Sequence, residues 1–349
     1  MRLLVGLLVI ASLLLSGCTQ LEEARNMYAS TPTPSRPFID PTPTPAPIPS
    51  HFVVPRLKSI PSSAIKMSPD TDEYPPLLHS GGWLPPEPLS SVINTAGAED
   101  SAFVTSDGQT LYFWFTPDPA VPPHQQLTDG ATGIYVSRNA GGEWQDPQRI
   151  FLHFPDNASL DGCPYVHGDT MWFCSARIGN YREVDMYTAR FIEGEWGLWE
   201  NVGPRLNEHF ELGEMHLSSD GQTLYFHSPR NRGKGGYDLY SSRLLNGVWQ
   251  EPEELTALNT VEVEGWPFLS EDGKELWFTR RRLGAPSIYR SLFVNGSWSD
   301  PELILSQFAA EPSLDAQGNI YFVHHFFKEG EMLDADIYVA RKRGTGILE

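Results

Sequence analysis

The stretch SDGQTLYF occupies residues 106–113, and the same letters return at residues 219–226. Related stretches are EDGKELWF at 271–278, HGDTMWF at 167–173 and AQGNIYF at 316–322. Their turn glycines lie 45 to 60 residues apart, at positions 108, 168, 221, 273 and 318. Repetition at such a period is typical of propellers and solenoids, in which each repeat packs on its neighbours. The chain therefore contains five copies of one structural unit.

Each unit is predicted to form four short strands. A brief apolar run, strand A, precedes the Asp-Gly turn, which is a strong hairpin signal, and an aromatic strand B follows that turn. Strand C recurs in forms such as GIYVSR from residue 133 and DIYVAR from residue 336. Strand D carries a tryptophan after a glycine turn, as in NGVWQEPEEL from residue 246. Because alternating and aromatic-rich runs favour antiparallel strands, we predict an all-β, five-bladed β-propeller of four-stranded antiparallel blades.

The fifth unit lacks a strand D, since residues 341–349 contain no tryptophan and no proline. The missing signature lies upstream of the first unit, where GGWLPPEPL at residues 81–89 places Trp83 in register. We predict that residues 81–90 pair with residues 337–341 and complete the last blade, so that the ring leaves no open sheet edge. The other strand D tryptophans are predicted to be packing residues rather than ligand contacts: Trp144, Trp196, Trp249 and Trp298.

The S-x-D-G-x-x-L-Y-F turn and strand, followed by a D-I-Y strand, resemble the WD-like propeller repeat of the TolB C-terminal-domain type. The resemblance covers about 265 residues and is specific for the repeat rather than for an activity. The second and fifth units depart from it, with His167-Gly168 and Gln317-Gly318 in place of the Asp-Gly turn. The family implies a propeller that usually binds a partner, and it assigns no catalytic residue to this chain.

Residues 1–18 have the features of an export signal. Met1-Arg2 is a basic start, and residues 3–15 are apolar but too short to span a bilayer comfortably. The following Ser16-Gly17-Cys18 resembles the end of a bacterial lipobox, which implies cleavage before Cys18 and attachment of lipid to that residue. An ordinary signal peptide and an uncleaved anchor are the alternatives. The lipobox interpretation predicts a protein of the cell envelope, held to a membrane through Cys18 and facing outside the cytoplasm.

The rest of the chain divides into a tether and a domain. Residues 19–75 are predicted to be a Thr/Pro-rich tether, because STPTPSRPFIDPTPTPAPIPS at 30–50 lacks apolar periodicity and favours extended polyproline II. Residues 76–349 then form the propeller, which we expect to be monomeric. Counting back from a two-residue loop places Cys163 and Cys174 directly opposite each other on one hairpin. Both a disulfide and two buried free thiols are compatible with that placement.

Acidic residues outnumber basic ones by 44 to 25, for a formal net charge of −19. This excess argues against nucleic acid or an anionic lipid surface as the partner of the domain itself. A solvated acidic surface, which keeps an exported protein soluble, explains it equally. The sequence contains no P-loop, dinucleotide fingerprint or zinc motif, so no cofactor is indicated. Calcium bound in a central funnel is conceivable, but no dedicated loop supports it.

Candidate site residues follow from the strand directions. Strands alternate in direction within a blade, so the A–B and C–D turns lie on one face, and the longer B–C and D–A connections lie on the other, the loop face. Binding residues concentrate on the longer loops of a rigid scaffold. Carboxylates recur near the start of the inner strands: Glu99, Asp100, Asp161, Glu214, Glu264 and Glu311. Basic residues on the B–C connections oppose them: Arg177, Arg230, Arg280, Arg281, Arg282, His324 and His325.

These residues support more than one interpretation. Each carboxylate is either part of a binding site or a structural group that pairs with an arginine or with the neighbouring backbone. As a binding site, the loop face would take a protein, peptidoglycan or polysaccharide partner without catalysis. A five-bladed glycoside hydrolase is the alternative, since such enzymes use two carboxylates about 5 to 9.5 Å apart, and Glu99, Asp161 and Glu264 are candidates. We favour binding, because these carboxylates recur with the repeat whereas catalysis requires chemically distinct partners.

Overall fold

The computed structural model describes residues 53–154, 157–229 and 233–344. Within these ranges the chain folds into five small antiparallel sheets, which are the blades of a five-bladed β-propeller with almost no helix. The predicted all-β propeller is therefore confirmed. The export signal, Cys18 and the Thr/Pro-rich run up to residue 52 lie outside the described residues, and so does Arg230. No helix in the described ranges is both long enough and apolar enough to cross a membrane.

Two short strands precede the first blade: β1 (Leu77–Leu78) and β2 (Glu87–Pro88). The strands of blade 1 are β3 (Ala98–Val104), β4 (Thr110–Thr116), β5 (Gly133–Ala140), β6 (Glu143–Trp144) and β7 (Gln148–Arg149). Those of blade 2 are β8 (Ser159–His167), β9 (Thr170–Arg177), β10 (Asp185–Ile192) and β11 (Glu195–Asn201). Those of blade 3 are β12 (Met215–Leu217), β13 (Thr223–Ser228), β14 (Asp238–Leu245), β15 (Val248–Trp249) and β16 (Glu253–Glu254).

The strands of blade 4 are β17 (Glu264–Leu269), β18 (Glu275–Arg282), β19 (Ala285–Val294), β20 (Ser297–Trp298) and β21 (Glu302–Ser306). Those of blade 5 are β22 (Ala309–Leu314), β23 (Ile320–Lys328) and β24 (Glu331–Ala340). Helical structure in the described ranges consists of single turns: α1 (Arg56–Ser59), α2 (Pro123–Gln126) and a π-helical turn (Arg205–His209).

Prolines divide strand D into two pieces in three blades. Pro147 separates β6 from β7, Pro252 separates β15 from β16, and Pro301 separates β20 from β21. A proline has no N–H to donate to the ladder, so pairing stops at the proline and resumes beyond it. Blade 2 has no proline at this point, and its β11 runs unbroken. The single strand D predicted for each unit is thus found as two short strands wherever the sequence has Asp-Pro or Glu-Pro.

The Asp-Gly turn has a simple physical basis. In blade 1, Thr105 Oγ1 donates a hydrogen bond to Asp107 Oδ1 at 2.6 Å, and Gln109 N donates to the same oxygen at 2.9 Å. These bonds lower the pKa of Asp107. Gly108 follows with φ +68°, a left-handed conformation that suits glycine. Blades 3 and 4 repeat these bonds around Asp220 and Asp272, which explains why the Ser/Thr-x-Asp-Gly core of the motif recurs.

The hydrophobic core lies between neighbouring blades. Five clusters are present among the described residues, one for each blade-to-blade interface. Four strand D tryptophans pack across these interfaces, with ring centroids 5.6 Å apart for Trp83–Trp277, 6.4 Å for Trp144–Tyr321, 6.2 Å for Trp196–Tyr112 and 6.1 Å for Trp298–Tyr225. Trp249 joins the cluster between blades 2 and 3. The predicted packing role of the tryptophans is confirmed.

The N-terminal segment closes the ring as predicted. Leu84 N donates a hydrogen bond to Arg341 O at 2.8 Å, and Leu89 N donates to Ile337 O at 2.9 Å. Between them β2 pairs with β24 and supplies the outer strand of blade 5. Strand β1, which the repeat pattern did not predict, pairs with β21 at the edge of blade 4. The segment therefore crosses from one blade to the next and covers both outer edges.

Cys163 and Cys174 form a disulfide, with Cα atoms 5.4 Å apart. The prediction that they lie directly opposite each other is wrong, because the partner of Cys174 in the ladder is Gly162. A β-bulge between Gly162 and Tyr165 leaves Cys163 outside the regular register. Pro164, which cannot donate to the ladder, lies within that bulge. A count from the turn alone could not include the one extra residue of the bulge.

Replacing Trp83 tests the closure. Trp83→Ala is expected to lower the free energy of unfolding by about 3–5 kcal/mol, as truncation of a buried aromatic side chain does. Trp83 is 2% exposed, and its Nε1 donates a hydrogen bond to Gly318 O at 2.8 Å. The measurement is urea denaturation followed by circular dichroism. Leu84→Ala is the matched control, because Leu84 is 41% exposed, and a change of less than about 1 kcal/mol is expected. Equal losses in the two variants would contradict the closure.

Candidate functional site

The inner strands place one residue of each repeat around the propeller axis. In every blade this residue lies four positions before the first residue of the A–B turn. The five residues at this position are here called the funnel ring: Ser101, Cys163, Glu214, Trp266 and Glu311. In blades 1, 2, 4 and 5 the ring residue belongs to a β-bulge and has φ between 49° and 58°. This left-handed region costs a non-glycine residue roughly 1–2 kcal/mol, and bulges re-aim side chains. All five ring residues line a central cavity.

The central cavity has a volume of about 50 Å³. Its walls are the funnel ring and the residues that follow each ring member, among them Phe103, Tyr165, His216 and Phe268. A space of this size holds roughly three or four water molecules, whereas pockets for small organic ligands usually measure about 300–1,000 Å³. The cavity therefore has room for water or an ion and not for a sugar residue.

Three of the predicted site carboxylates are held in ion pairs within or beside their own blades. The pairs are Glu99 with Arg56 at 3.2 Å, Asp161 with Arg177 at 2.6 Å and Glu264 with Arg280 at 2.8 Å. Neighbouring hydroxyl and backbone groups donate further hydrogen bonds to these carboxylates. Burial alone would raise the pKa of Asp161, but the hydrogen bond from His153 and the charge of Arg177 hold it below its ordinary value. The oxygens of all three carboxylates are thus engaged by the protein itself.

The arginines of these pairs also cover aromatic rings. The guanidinium carbon of Arg177 lies 4.4 Å from the ring of Tyr187, and that of Arg280 lies 4.7 Å from the ring of Tyr289. In blade 1 this position is taken by Arg56, which comes from the N-terminal segment and lies 5.4 Å from the ring of Phe115. Such cation–π contacts add to the ion pair when the cation is desolvated. Residues 53–75, the described part of the predicted tether, therefore contribute to the propeller.

Two further residues of that segment bind blade 5. Lys66 Nζ lies 3.1 Å from Asp334 and also contacts Asp336. Asp72 Oδ2 lies 2.7 Å from Nε2 of His324, one of the predicted binding residues, and both side chains are buried. This contact engages His324 Nε2 with the segment rather than with the funnel.

The remaining predicted carboxylates meet near the axis. The acidic triad is the name used here for Asp100, Glu311 and His325. Each offers one atom that could bind a metal ion, a carboxylate oxygen or a ring nitrogen, and these three atoms lie within 4.8 Å of one another. His325 Nε2 lies 3.6 Å from Asp100 Oδ2. Beside them, Glu214 accepts a hydrogen bond from Trp266 Nε1 at 2.9 Å. The structure therefore divides the predicted carboxylates into three held by arginines and three gathered in the funnel.

Burial and mutual repulsion raise the pKa values of two of the funnel carboxylates, Glu214 and Glu311. Burial, followed by the charges of Asp100 and Glu214, raises the pKa of Glu311 well above its ordinary range. Burial and the charge of Asp100 raise the pKa of Glu214 to about 8. Strongly shifted carboxyl groups in a cleft are common at functional sites, although structural networks shift pKa values too. The funnel thus holds acidic groups that resist ionisation together.

The other residues considered from the sequence lie away from the acidic triad or within packed surroundings. Arg281 and Arg282 end β18, the first half-buried and the second exposed. His216 packs between the rings of Tyr165 and Phe268. His227 is also buried, and burial lowers the pKa of both histidines to about 3.

Sequence reasoning missed Trp266 and the three N-terminal residues Arg56, Lys66 and Asp72. Trp266 could have been found by aligning the repeats on their turns, because it lies four residues before Ser270 just as Glu214 lies four before Ser218. The N-terminal residues had no comparable signal, since they occur singly in a proline-rich segment outside the repeat.

Comparisons with known proteins bear on the fold alone. No protein-family model matches the chain, and no curated protein does either. Similar solved structures include TolB from Acinetobacter baumannii, with 13% identity, a TM-score of 0.39 and coverage of 72% of this chain but only 56% of that one. A thermostable family-43 glycoside hydrolase has 11% identity and a TM-score of 0.48, and the match covers 72% of this chain and 92% of that one. An endo-arabinase from Bacteroides thetaiotaomicron VPI-5482 has 14% identity and a TM-score of 0.47, and the match covers 72% of this chain and 96% of that one. At these identities and TM-scores no functional assignment follows, and the WD-like resemblance continues to rest on the repeat motif.

Replacing Arg56 tests whether the N-terminal segment is part of the domain. Arg56→Ala is expected to lower the free energy of unfolding by about 3–5 kcal/mol. It leaves the fully buried carboxyl of Glu99 without its partner and removes the guanidinium hydrogen bonds to Val92 O and Ile93 O. Arg190→Ala is the matched control, since the Arg190–Asp169 pair lies at the surface and exposed pairs contribute about 0–1 kcal/mol. Denaturation of the full chain followed by circular dichroism measures both. If Arg56→Ala lost no more stability than the control, the segment would be dispensable.

The raised pKa of Glu214 predicts a pH dependence of stability. Between its ordinary value of 4.5 and about 8, the folded state holds a proton that the unfolded state releases, so stability falls as pH rises through this window. The loss is at most about 1.4 kcal/mol per pH unit. Glu214→Gln keeps an acceptor for Trp266 Nε1 and removes the titration. In buffer without divalent cations, the variant should match the wild type near pH 4 and melt at a higher temperature near pH 8. A difference in Tm that does not change with pH would contradict the raised pKa.

Proposed function

We propose that this protein is a non-enzymatic binding module of the cell envelope whose loop face binds a protein partner. Lipid on Cys18 holds it to a membrane, with the propeller outside the cytoplasm. The observation that carries the proposal is the high exposure of three aliphatic side chains on separate connections of the loop face, together with a central cavity of only about 50 Å³. The partner then contacts the rim of the propeller rather than entering its centre.

The exposed aliphatic residues lie on three connections of the loop face. Ile178 follows β9, Leu283 joins β18 to β19, and Val261 precedes β17, so each belongs to a B–C or D–A connection. Their side chains are 88%, 91% and 82% exposed. Apolar groups in water are unfavourable. On the C–D turn of blade 3, on the opposite face, the aliphatic side chains of Leu245 and Val248 are only 55% and 51% exposed. Arg281 and Arg282, beside Leu283, add the polar rim that protein interfaces usually have.

Catalysis is less well supported than binding. The three carboxylates considered for a hydrolase, Glu99, Asp161 and Glu264, are engaged by arginines. A glycoside hydrolase must also bring a sugar between its acid and its base or nucleophile. The central cavity offers room for a few waters only.

A glycoside hydrolase remains the second candidate because of one observation. Asp100 and Glu311 place carboxylate oxygens within 4.8 Å of each other, and retaining enzymes hold their two carboxyl groups about 5–5.5 Å apart. Burial raises the pKa of Glu311, as a general acid requires. This candidate predicts turnover of a cell-wall sugar that Glu311→Gln abolishes.

The N-terminal sequence supports the proposed location. Ser16-Gly17-Cys18 provides the lipid attachment point of the proposal, and several acyl chains on one residue give stable membrane binding. Residues 19–52 separate this point from the first described residue. At about 3.1 Å per residue in polyproline II, such a segment could extend on the order of 100 Å. The loop face would then reach partners at a distance from the lipid surface.

Site-specific photo-crosslinking in the native envelope tests the proposal. A photoreactive residue at position 178 or 283 should give discrete protein adducts, and one at position 248, on the C–D turn of the opposite face, should give at least tenfold less. The wild-type chain should be found in the membrane fraction, and Cys18→Ser should release it. Adducts of equal yield on both faces, or no adducts at all, would overturn the protein-binding proposal. Adducts with polysaccharide, or sugar turnover lost in Glu311→Gln, would instead support the alternatives.

A further inference from the structure

The acidic triad joins three elements at one interface. Asp100 lies in β3 of blade 1, Glu311 in β22 and His325 in β23 of blade 5. One carboxylate oxygen or ring nitrogen from each residue lies within 4.8 Å of those from the other two. Blades 1 and 5 are the first and last of the ring, so the cluster lies where the ring closes.

The carboxylates of the triad are deeply buried, and each has an oxygen without a hydrogen-bond donor. Asp100 is 0% exposed and Glu311 is 7% exposed. Ser101 N donates to Asp100 Oδ1 at 2.7 Å. Among the described residues, no donor within hydrogen-bonding distance reaches Asp100 Oδ2 or Glu311 Oε2. Buried carboxylate oxygens without a donor lose their hydration, so these two atoms are available as ligands of a cation.

Basic side chains near the triad are engaged elsewhere. Arg56 pairs with Glu99, Lys66 pairs with Asp334, and His324 pairs with Asp72. Within the described residues, the ion pair found for Asp100 is the one with His325, at 3.6 Å. That separation is too long for a hydrogen bond.

The same separation suits two ligands of one metal ion. Bonds of about 2.0–2.2 Å from a tetrahedral ion to nitrogen and oxygen place two ligand atoms roughly 3.4 Å apart. His325 Nε2 and Asp100 Oδ2, 3.6 Å apart, are close to that value. Glu311 has a carboxylate oxygen within 4.8 Å of both atoms.

The backbone at the site holds a conformation that β-strands normally avoid. Ser101, directly after Asp100, has φ 49°, and Glu311 itself has φ 58°. Such conformations cost a non-glycine residue roughly 1–2 kcal/mol, and they also occur at the ring positions of blades 2 and 4. Here the two bulges bring Asp100 and Glu311, from different blades, to the same point.

We infer that Asp100, Glu311 and His325 form a binding site for a divalent transition-metal cation of the Zn²⁺ class. Two carboxylates and one imidazole provide three protein ligands and leave further positions for water. Calcium is disfavoured, because it takes six to eight oxygen ligands, and imidazole suits transition metals better. The site is independent of the proposed partner on the loop face. A bound ion would link the first blade to the last and balance the charge of the two buried carboxylates.

Metal titration of the full chain tests the inference, with ZnCl₂ as the probe after removal of metals by a chelator. The wild type is expected to bind one Zn²⁺ per chain in calorimetry, and Zn²⁺ is expected to raise its Tm by a few degrees. Asp100→Asn, Glu311→Gln and His325→Gln should each weaken binding at least tenfold and remove most of the Tm shift. His209→Gln is the matched control, because His209 forms an exposed pair with Glu251 that could bind zinc adventitiously.

A second measurement separates loss of the site from loss of the fold. In metal-free buffer, Asp100→Asn and Glu311→Gln should have native circular dichroism and a Tm equal to or above that of the wild type, since each replaces one acid of a buried pair that resists ionising together. Absence of stoichiometric Zn²⁺ uptake by the wild type would overturn the inference. Loss of uptake in His209→Gln with retention in the triad variants would overturn it as well. Tighter binding of Ca²⁺ than of Zn²⁺ at the same residues would overturn the assignment of the metal class.

Discussion

Two backbone hydrogen bonds, from Leu84 N to Arg341 O and from Leu89 N to Ile337 O, hold the outer strand of the last blade in place. They join segments that are far apart in the chain, so the ring exists only when its two ends meet. Each blade buries its hydrophobic faces against its neighbours, and an unclosed ring would expose both ends. Closing the ring therefore stabilises every interface rather than one, as in other architectures built from stacked repeats.

The arrangement at the axis depends on the same closure. Asp100 belongs to the first blade and Glu311 to the last, and they approach each other only when those blades are neighbours. Arg56, Lys66 and Asp72 reinforce this junction, since the first contacts blade 1 and the other two contact blade 5. The N-terminal segment thus contacts both blades at the junction where the acidic triad lies. Stability and the proposed chemistry of the funnel are concentrated at one place in the fold.

The fold could be predicted from the sequence because its signals are local and repeated. Asp-Gly turns and the strand D tryptophans specify the hairpins and the blade interfaces, and Trp83 revealed the closing strand. The bulges could not be predicted, because they place residues such as Cys163 and Glu311 at positive φ, which sequence patterns reserve for glycine. For this reason the predicted pairing of Cys163 with Cys174 in the ladder was wrong. The pairing of Glu99 with Arg56 was equally hidden, since it depends on a contact 43 positions apart along the chain outside any repeat.

Amide hydrogen exchange at Leu84 and Leu89 tests the central claim most directly. Both amides donate to β24 or its continuation, so their exchange should require opening of the ring. We expect them to exchange with the same free energy as the most protected strand amides, which is the free energy of global unfolding. Exchange of Leu84 and Leu89 at the rate of an exposed loop, while the amides of blade 5 stay protected, would show that the N-terminal strand does not close the propeller.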